Sequence, residues 1–140
     1  MSSTIGPQDA LVALMITTSA ADERMSTLEL MSILRIVDGL PAFDGYDENR
    51  LRATSEMVLE ILDEDDGLDT IVGLAKEALP KDFNETAYAL ACDVAAADRH
   101  VHIHELRWLQ MLRTELEVGR LAAAAIERGA RARHQALPPS

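Results

Sequence analysis

Two Asp/Glu pairs occupy matching places in a segment that occurs twice. Ala20-Ala21-Asp22-Glu23-Arg24-Met25-Ser26-Thr27-Leu28-Glu29-Leu30 returns as Ala96-Ala97-Asp98-Arg99-His100-Val101-His102-Ile103-His104-Glu105-Leu106, shifted by 76 positions. Both copies keep Ala-Ala-Asp, an apolar residue three places after the Asp, and Glu-Leu seven and eight places after it. Upstream, Ala13-Leu14 lines up with Ala89-Leu90. Asp22, Glu29, Asp98 and Glu105 offer hard oxygen donors, and a converging set of these would suit Ca²⁺, Mg²⁺ or Mn²⁺. The spacing is not that of an EF-hand, which needs closely spaced Asp/Asn ligands and a central Gly. Capping chemistry is the competing explanation. Ser26-x-x-Glu29 has the form of a capping box, Glu in a first turn is favoured by the helix dipole, and Asp commonly bonds turn N–H groups.

The remaining chemistry-bearing residues are weaker candidates. His100, His102 and His104 alternate, and a zinc or nickel site using His102 or His104 with Asp98 is conceivable. A helix opening near His102 would break that alternation and leave the three as partly exposed corner residues. The run Asp63-Glu64-Asp65-Asp66 reads as a solvated helix end. Cys92, the single cysteine, reads as a small core residue and excludes an internal disulfide. There is no G-x-S-x-G, no Gly-rich phosphate loop and no order of Ser, His and Asp that demands a triad. The expectation is a protein without catalytic function.

Two tight corners need helices on both sides, and apolar residues recur at helical spacing along almost the whole chain. Seven helices are predicted. They run over about Pro7 to Ala20, Ser26 to Gly39, Asp47 to Leu62, Leu68 to Leu79, Asp82 to Ala97, His102 to Leu116 and Val118 to Arg133. The first carries an inner face of Leu11, Leu14, Met15 and Thr18, widened by Val12 and Ile16. Asp82-x-x-Glu85 resembles a capping box opening the fifth. Trp108 is the expected largest core residue of the sixth. Short connections imply steep or antiparallel neighbours. The expected architecture is all-α, a single compact bundle over residues 1–140, with frayed ends at 1–6 and 134–140. Helices one and two form one half of an internal pseudo-twofold repeat, and helices five and six form the other.

Composition narrows the partners. The net charge of −11 argues against nucleic acid, since phosphate binding needs a clustered positive field. Only 4% of residues are aromatic, so Leu, Ile, Val, Ala and Met must fill the core. No apolar run reaches membrane-spanning length, and the N-terminus lacks the features of a signal peptide, so a cytoplasmic location is expected. The charge is divided: from Arg120 onward four Arg face one Glu.

The corner, with the Ala-rich helix end before its Asp, resembles the TerB (tellurite-resistance) family and TerB-like domains. Ala95-Ala96-Ala97-Asp98 with Val101 and Glu105 is the closer copy, and Asp22 with Met25 and Glu29 is the second. Asp66-Gly67-Leu68-Asp69, Glu85-Thr86-Ala87-Tyr88-Ala89-Leu90-Ala91 and the stretch from Ala125 to Arg133 look like the bacterial branch. The resemblance implies a seven-helix domain with internal pseudosymmetry. It also implies an acidic cation-binding surface at Asp22, Glu29, Asp98 and Glu105, and a role in tellurite and related stress. The Gly that follows the Asp in the family pattern is Glu23 in one copy and Arg99 in the other. Two functions follow as expectations. One is a TerB-like module binding a divalent cation at the corners. The other is a protein-interaction scaffold without a metal site.

Overall fold

The computed structural model describes residues 5–20, 27–97 and 103–139. These form seven α-helices: α1 (Pro7–Ala20), α2 (Thr27–Gly39), α3 (Glu48–Leu62), α4 (Gly67–Ala78), α5 (Asn84–Ala97), α6 (Ile103–Glu115) and α7 (Arg120–Arg133). Short 3₁₀ turns at Pro41–Phe43 and Lys81–Phe83 precede α3 and α5. No strand is present among the described residues, as the sequence leads one to expect.

Helix α1 is the axis of the molecule. Every residue from Asp9 to Ser19 is buried, so this helix has no solvent face. The sequence reading gave it one broad apolar face. The stretch Leu11-Val12-Ala13-Leu14-Met15-Ile16 is apolar all round, which is the pattern of a helix enclosed on every side. Helices α3, α4 and α5 pack most extensively against it, and α2 and α6 also touch it. Two of its buried hydroxyls are satisfied within the helix, Thr17 donating to the Ala13 carbonyl and Thr18 to the Leu14 carbonyl, both at 2.8 Å.

The repeat in the sequence is a repeat in space. Thr27–Gly39, advanced by 76 positions, falls on Ile103–Glu115, so α2 maps onto α6. Helices α1 and α5 pack together, while α6 lies on α1 and α2 lies on α5. That reciprocal pairing is what a twofold relation requires. Trp108, 2% exposed, ties the halves: its indole Nε1–H donates to Thr18 Oγ1 at 2.8 Å. The correspondence extends one helix further. Residues 40–47 connect α2 to α3, and the shorter 116–119 connects α6 to α7, so the shift drops to 72. Leu51 and Val58 on α3 then match Ala123 and Ala130 on α7, and all four are buried.

Local chemistry explains the helix ends. Asp47 caps α3 by accepting from the Asn49 N–H at 2.9 Å. Gly67 opens α4 where a Cβ would stand 2.4 Å from the Ile61 carbonyl oxygen, so only glycine allows this corner to close. Helix α6 ends in a Schellman turn. Glu117 takes φ 55°, its N–H bonds the Thr114 carbonyl, and the Val118 N–H bonds the Arg113 carbonyl. That turn delays α7 to Arg120, two residues after the predicted start. At α5 the expected capping box is not the start signal. Asp82 lies inside the 3₁₀ turn, and α5 begins at Asn84. Asn84 reaches the Leu116 carbonyl through Nδ2 at 2.9 Å, which fixes this end of α5 to the end of α6.

One buried charge joins α1 to α3. Asp9 is 2% exposed and accepts from Arg50 Nε at 3.1 Å and from the Tyr46 hydroxyl at 3.2 Å. A second Arg50 nitrogen reaches its other oxygen. Burial alone would raise the Asp9 pKa, but the Arg50 hydrogen bonds and charge, with the Tyr46 hydroxyl, hold it below the ordinary aspartate value. Burial pushes the Tyr46 phenol up to about 12, with the Asp9 charge acting in the same direction.

Candidate functional site

Only part of the expected carboxylate set lies among the described residues. Asp22 and Asp98 lie outside them, as do His100, His102 and Ser26. Glu29 is in the first turn of α2 and is half-buried. Glu105 is in the first turn of α6 and is 3% exposed. First-turn placement fits the helix-dipole explanation of both. Among the described residues, no group of three or more His, Cys, Asp or Glu is placed to hold a metal ion. Asp63, Glu64, Asp65 and Asp66 are all exposed. Cys92 is buried and free, as expected of a core residue.

Glu105 leads to a different site. It lines a groove of about 910 Å³ between α6 and α7, floored by α5. This volume is near the upper end of ordinary ligand pockets, roughly 300–1,000 Å³. Helices α6 and α7 each pack on α5 but make little contact with one another, which leaves the space between them open. Tyr88, Cys92, Ala95 and Ala96 form the floor. One wall is Leu106, Leu109, Gln110 and Arg113 of α6. The other runs along α7 from Arg120 through Ala123, Ala124 and Ala130 to Arg131, and His134 and Gln135 lie at its end.

The repeat explains why the space exists. Residues that are bulky and apolar in the first half are small or polar in the second. Ile16 corresponds to Cys92, Leu34 to Gln110, Val37 to Arg113, Leu51 to Ala123 and Val58 to Ala130. A Leu or Val in a core excludes several CH₂ groups' worth of volume that Ala does not. The second half has therefore lost core-filling bulk and gained polar atoms where the groove lies.

Electrostatics set the groove apart from the rest of the chain. Arg113, Arg120 and Arg131 line it, against the carboxylates of Glu105 and Glu127, in a protein of net charge −11. Among the described residues none of these three Arg has an ion-pair partner. Glu127 is engaged by the Tyr88 hydroxyl, which donates to it at 2.6 Å. Burial pushes the Tyr88 phenol well above its usual range, and the bond to Glu127 adds to this. The Cys92 thiol is pushed up to about 11, chiefly by burial, which the Tyr88 hydrogen bond only partly offsets. Both groups are therefore neutral at physiological pH, and the thiol lacks the lowered pKa that activates a nucleophile. Asp93 pins the end of α7 through Arg133 at 2.6 Å and His134 at 3.5 Å.

Glu105 and Cys92 are legible as candidates in the sequence, whereas Gln110, Arg113, Ala123 and Ala130 belong to no chemical pattern. The signal was present in the mismatches between the two copies, at Gln110, Arg113, Ala123 and Ala130, rather than in their matches. Comparison with family models, with curated proteins and with solved structures finds no match, so the TerB-like resemblance stands on the residues quoted above alone.

Proposed function

We propose that this chain is a non-enzymatic helical binding module whose working surface is the α5–α6–α7 groove. The observation that carries the reading is the hollowed second half of the repeat. Its floor is apolar, it is lined by three Arg that have no ion-pair partner among the described residues, and its titratable hydroxyl and thiol are held neutral. This favours the protein-interaction scaffold over a reaction centre. The TerB-like resemblance adds a role in tellurite and related stress in a bacterial cytoplasm, and that part of the proposal rests on sequence alone. A second reading keeps a Ca²⁺, Mg²⁺ or Mn²⁺ site at Asp22, Glu29, Asp98 and Glu105. That reading rests on the recurrence of the four carboxylates in the sequence and on the resemblance.

Amide-resolved NMR titration separates the two readings. The probes are dodecanoate, an acidic and a basic amphipathic peptide, and the chlorides of Ca²⁺ and Mg²⁺. Shifts at Ala95, Leu109, Ala123 and Ala130 with an organic probe support the groove. Shifts confined to residues beside Glu29 and Glu105 with a metal support the cation site instead. Silence with every organic probe at millimolar concentration overturns the groove reading.

A further inference from the structure

We infer that the occupant of this groove is an acidic amphipathic helix of a partner protein, an inference that rests on the groove being the binding surface. The first argument is shape. Both walls are helix stripes. On α6, Leu106, Leu109, Gln110 and Arg113 follow the i, i+3, i+4, i+7 spacing of one helix face. On α7, Arg120, Ala124, Glu127 and Arg131 share one face in the same way, with His134 beyond its end and the Glu127 carboxylate held by the Tyr88 hydroxyl. Two such stripes meeting over a floor of small residues leave the trough that a third helix fills by ridge-into-groove packing. The trough follows α7 from Arg120 to His134, roughly 21 Å at the helical rise. That matches about four turns of a partner helix and is longer than a compact small ligand requires. The alanines on the α7 wall allow close approach of a backbone.

The second argument is charge. Arg120 and Arg131 are eleven residues apart on α7, three full turns, so they mark two points about 16 Å apart on one side of the trough. Arg113 faces the same space from α6. A helix with Asp or Glu at positions i and i+11 and an apolar residue at i+4 would meet both α7 guanidiniums while covering Ala124, the intervening Glu127 being engaged by the Tyr88 hydroxyl. Arg is suited to this because its planar fork binds carboxylates bidentately. In a chain of net charge −11, three Arg set against the two carboxylates Glu105 and Glu127 make this groove a basic surface that draws an acidic helix.

The test uses the whole chain and a fluorescein-labelled 16-residue helical peptide built from Ala and Leu, with Glu at positions 2 and 13. Fluorescence anisotropy should show saturable binding that weakens on raising salt from ~50 to ~500 mM, as screening requires. Arg120→Glu/Arg131→Glu should weaken it by ~10-fold or more at low salt, and a peptide carrying Lys at positions 2 and 13 should regain affinity for that variant. Ala124→Phe, at an exposed position in the trough, should block the peptide without changing the melting temperature. Equal affinity for the Glu and Lys peptides overturns the inference. So does dodecanoate binding in the groove where the peptide does not, although that result leaves the groove reading intact. A dimer in sedimentation whose formation is blocked by Ala124→Phe also overturns it, by assigning the trough to a second copy of this chain.

Discussion

Replacing Thr18 by Val should destabilise the protein by about 1.5–2 kcal/mol, a large effect for an isosteric change. Thr18 is fully buried on α1, and its Oγ1 accepts the Trp108 indole N–H across the two halves of the repeat at 2.8 Å. Valine keeps the shape and leaves that N–H without a partner. An orphaned buried donor costs about 1–3 kcal/mol, the upper half of that range where both partners are as fully buried as Thr18 and Trp108, and a methyl in place of the hydroxyl returns up to about 0.8 kcal/mol of apolar burial. At about 2.1 cal/mol/K of unfolding entropy per residue, the net loss lowers Tm by about 5–7 °C. Thermal unfolding followed by far-UV circular dichroism, with urea midpoints as a second measure, gives the value. A double-mutant cycle isolates the bond. In a Trp108→Phe background no N–H remains to be stranded, so Thr18→Val should cost under about 0.5 kcal/mol. An equal cost in both backgrounds would refute the assignment and leave only packing.

Three further outcomes follow. The Asp9 pKa is held below its unfolded value, so its contribution to stability is complete above about pH 4 and is lost as pH falls through the folded value. Urea titrations from pH 7 to pH 2 should therefore show an acid loss of stability that is smaller in Asp9→Asn. Glu117→Gly should stabilise by about 0.5–1 kcal/mol, because Glu117 holds φ 55° in the cap of α6 and glycine relieves that conformation; the urea midpoint reports it. Cys92, with its thiol pushed up to about 11, should react with iodoacetamide at pH 7.5 at least 100-fold more slowly than free cysteine, and faster only as urea unfolds the chain.

The fold was largely legible because its signals are local. Helical periodicity, Gly39 and Pro41 after α2, and the Asp47 cap each act within a few residues. The complete burial of α1 was harder to read, since nothing within Leu11 to Ile16 says how many neighbours will enclose it. The late starts of α5 and α7 depend on a 3₁₀ turn and on a non-glycine residue at positive φ, neither of which has a compositional mark. Recurrence drew the site reading to Asp22, Glu29, Asp98 and Glu105, but a recurring residue can serve a corner or a cap as well as a ligand. The groove is made where the repeat fails to recur, at Cys92, Gln110, Arg113, Ala123 and Ala130. Reading those departures as a cavity requires knowing that α6 and α7 both lie on α5.

Amide hydrogen exchange of the full chain, with and without the Glu-bearing peptide, tests the account most directly. The peptide should protect Leu106–Arg113 of α6 and Arg120–His134 of α7, leave α3 and α4 unchanged, and lose its effect in Arg120→Glu/Arg131→Glu. Protection over α3 and α4, or none at saturating peptide, would contradict the assignment of the groove as the binding surface for an acidic helix.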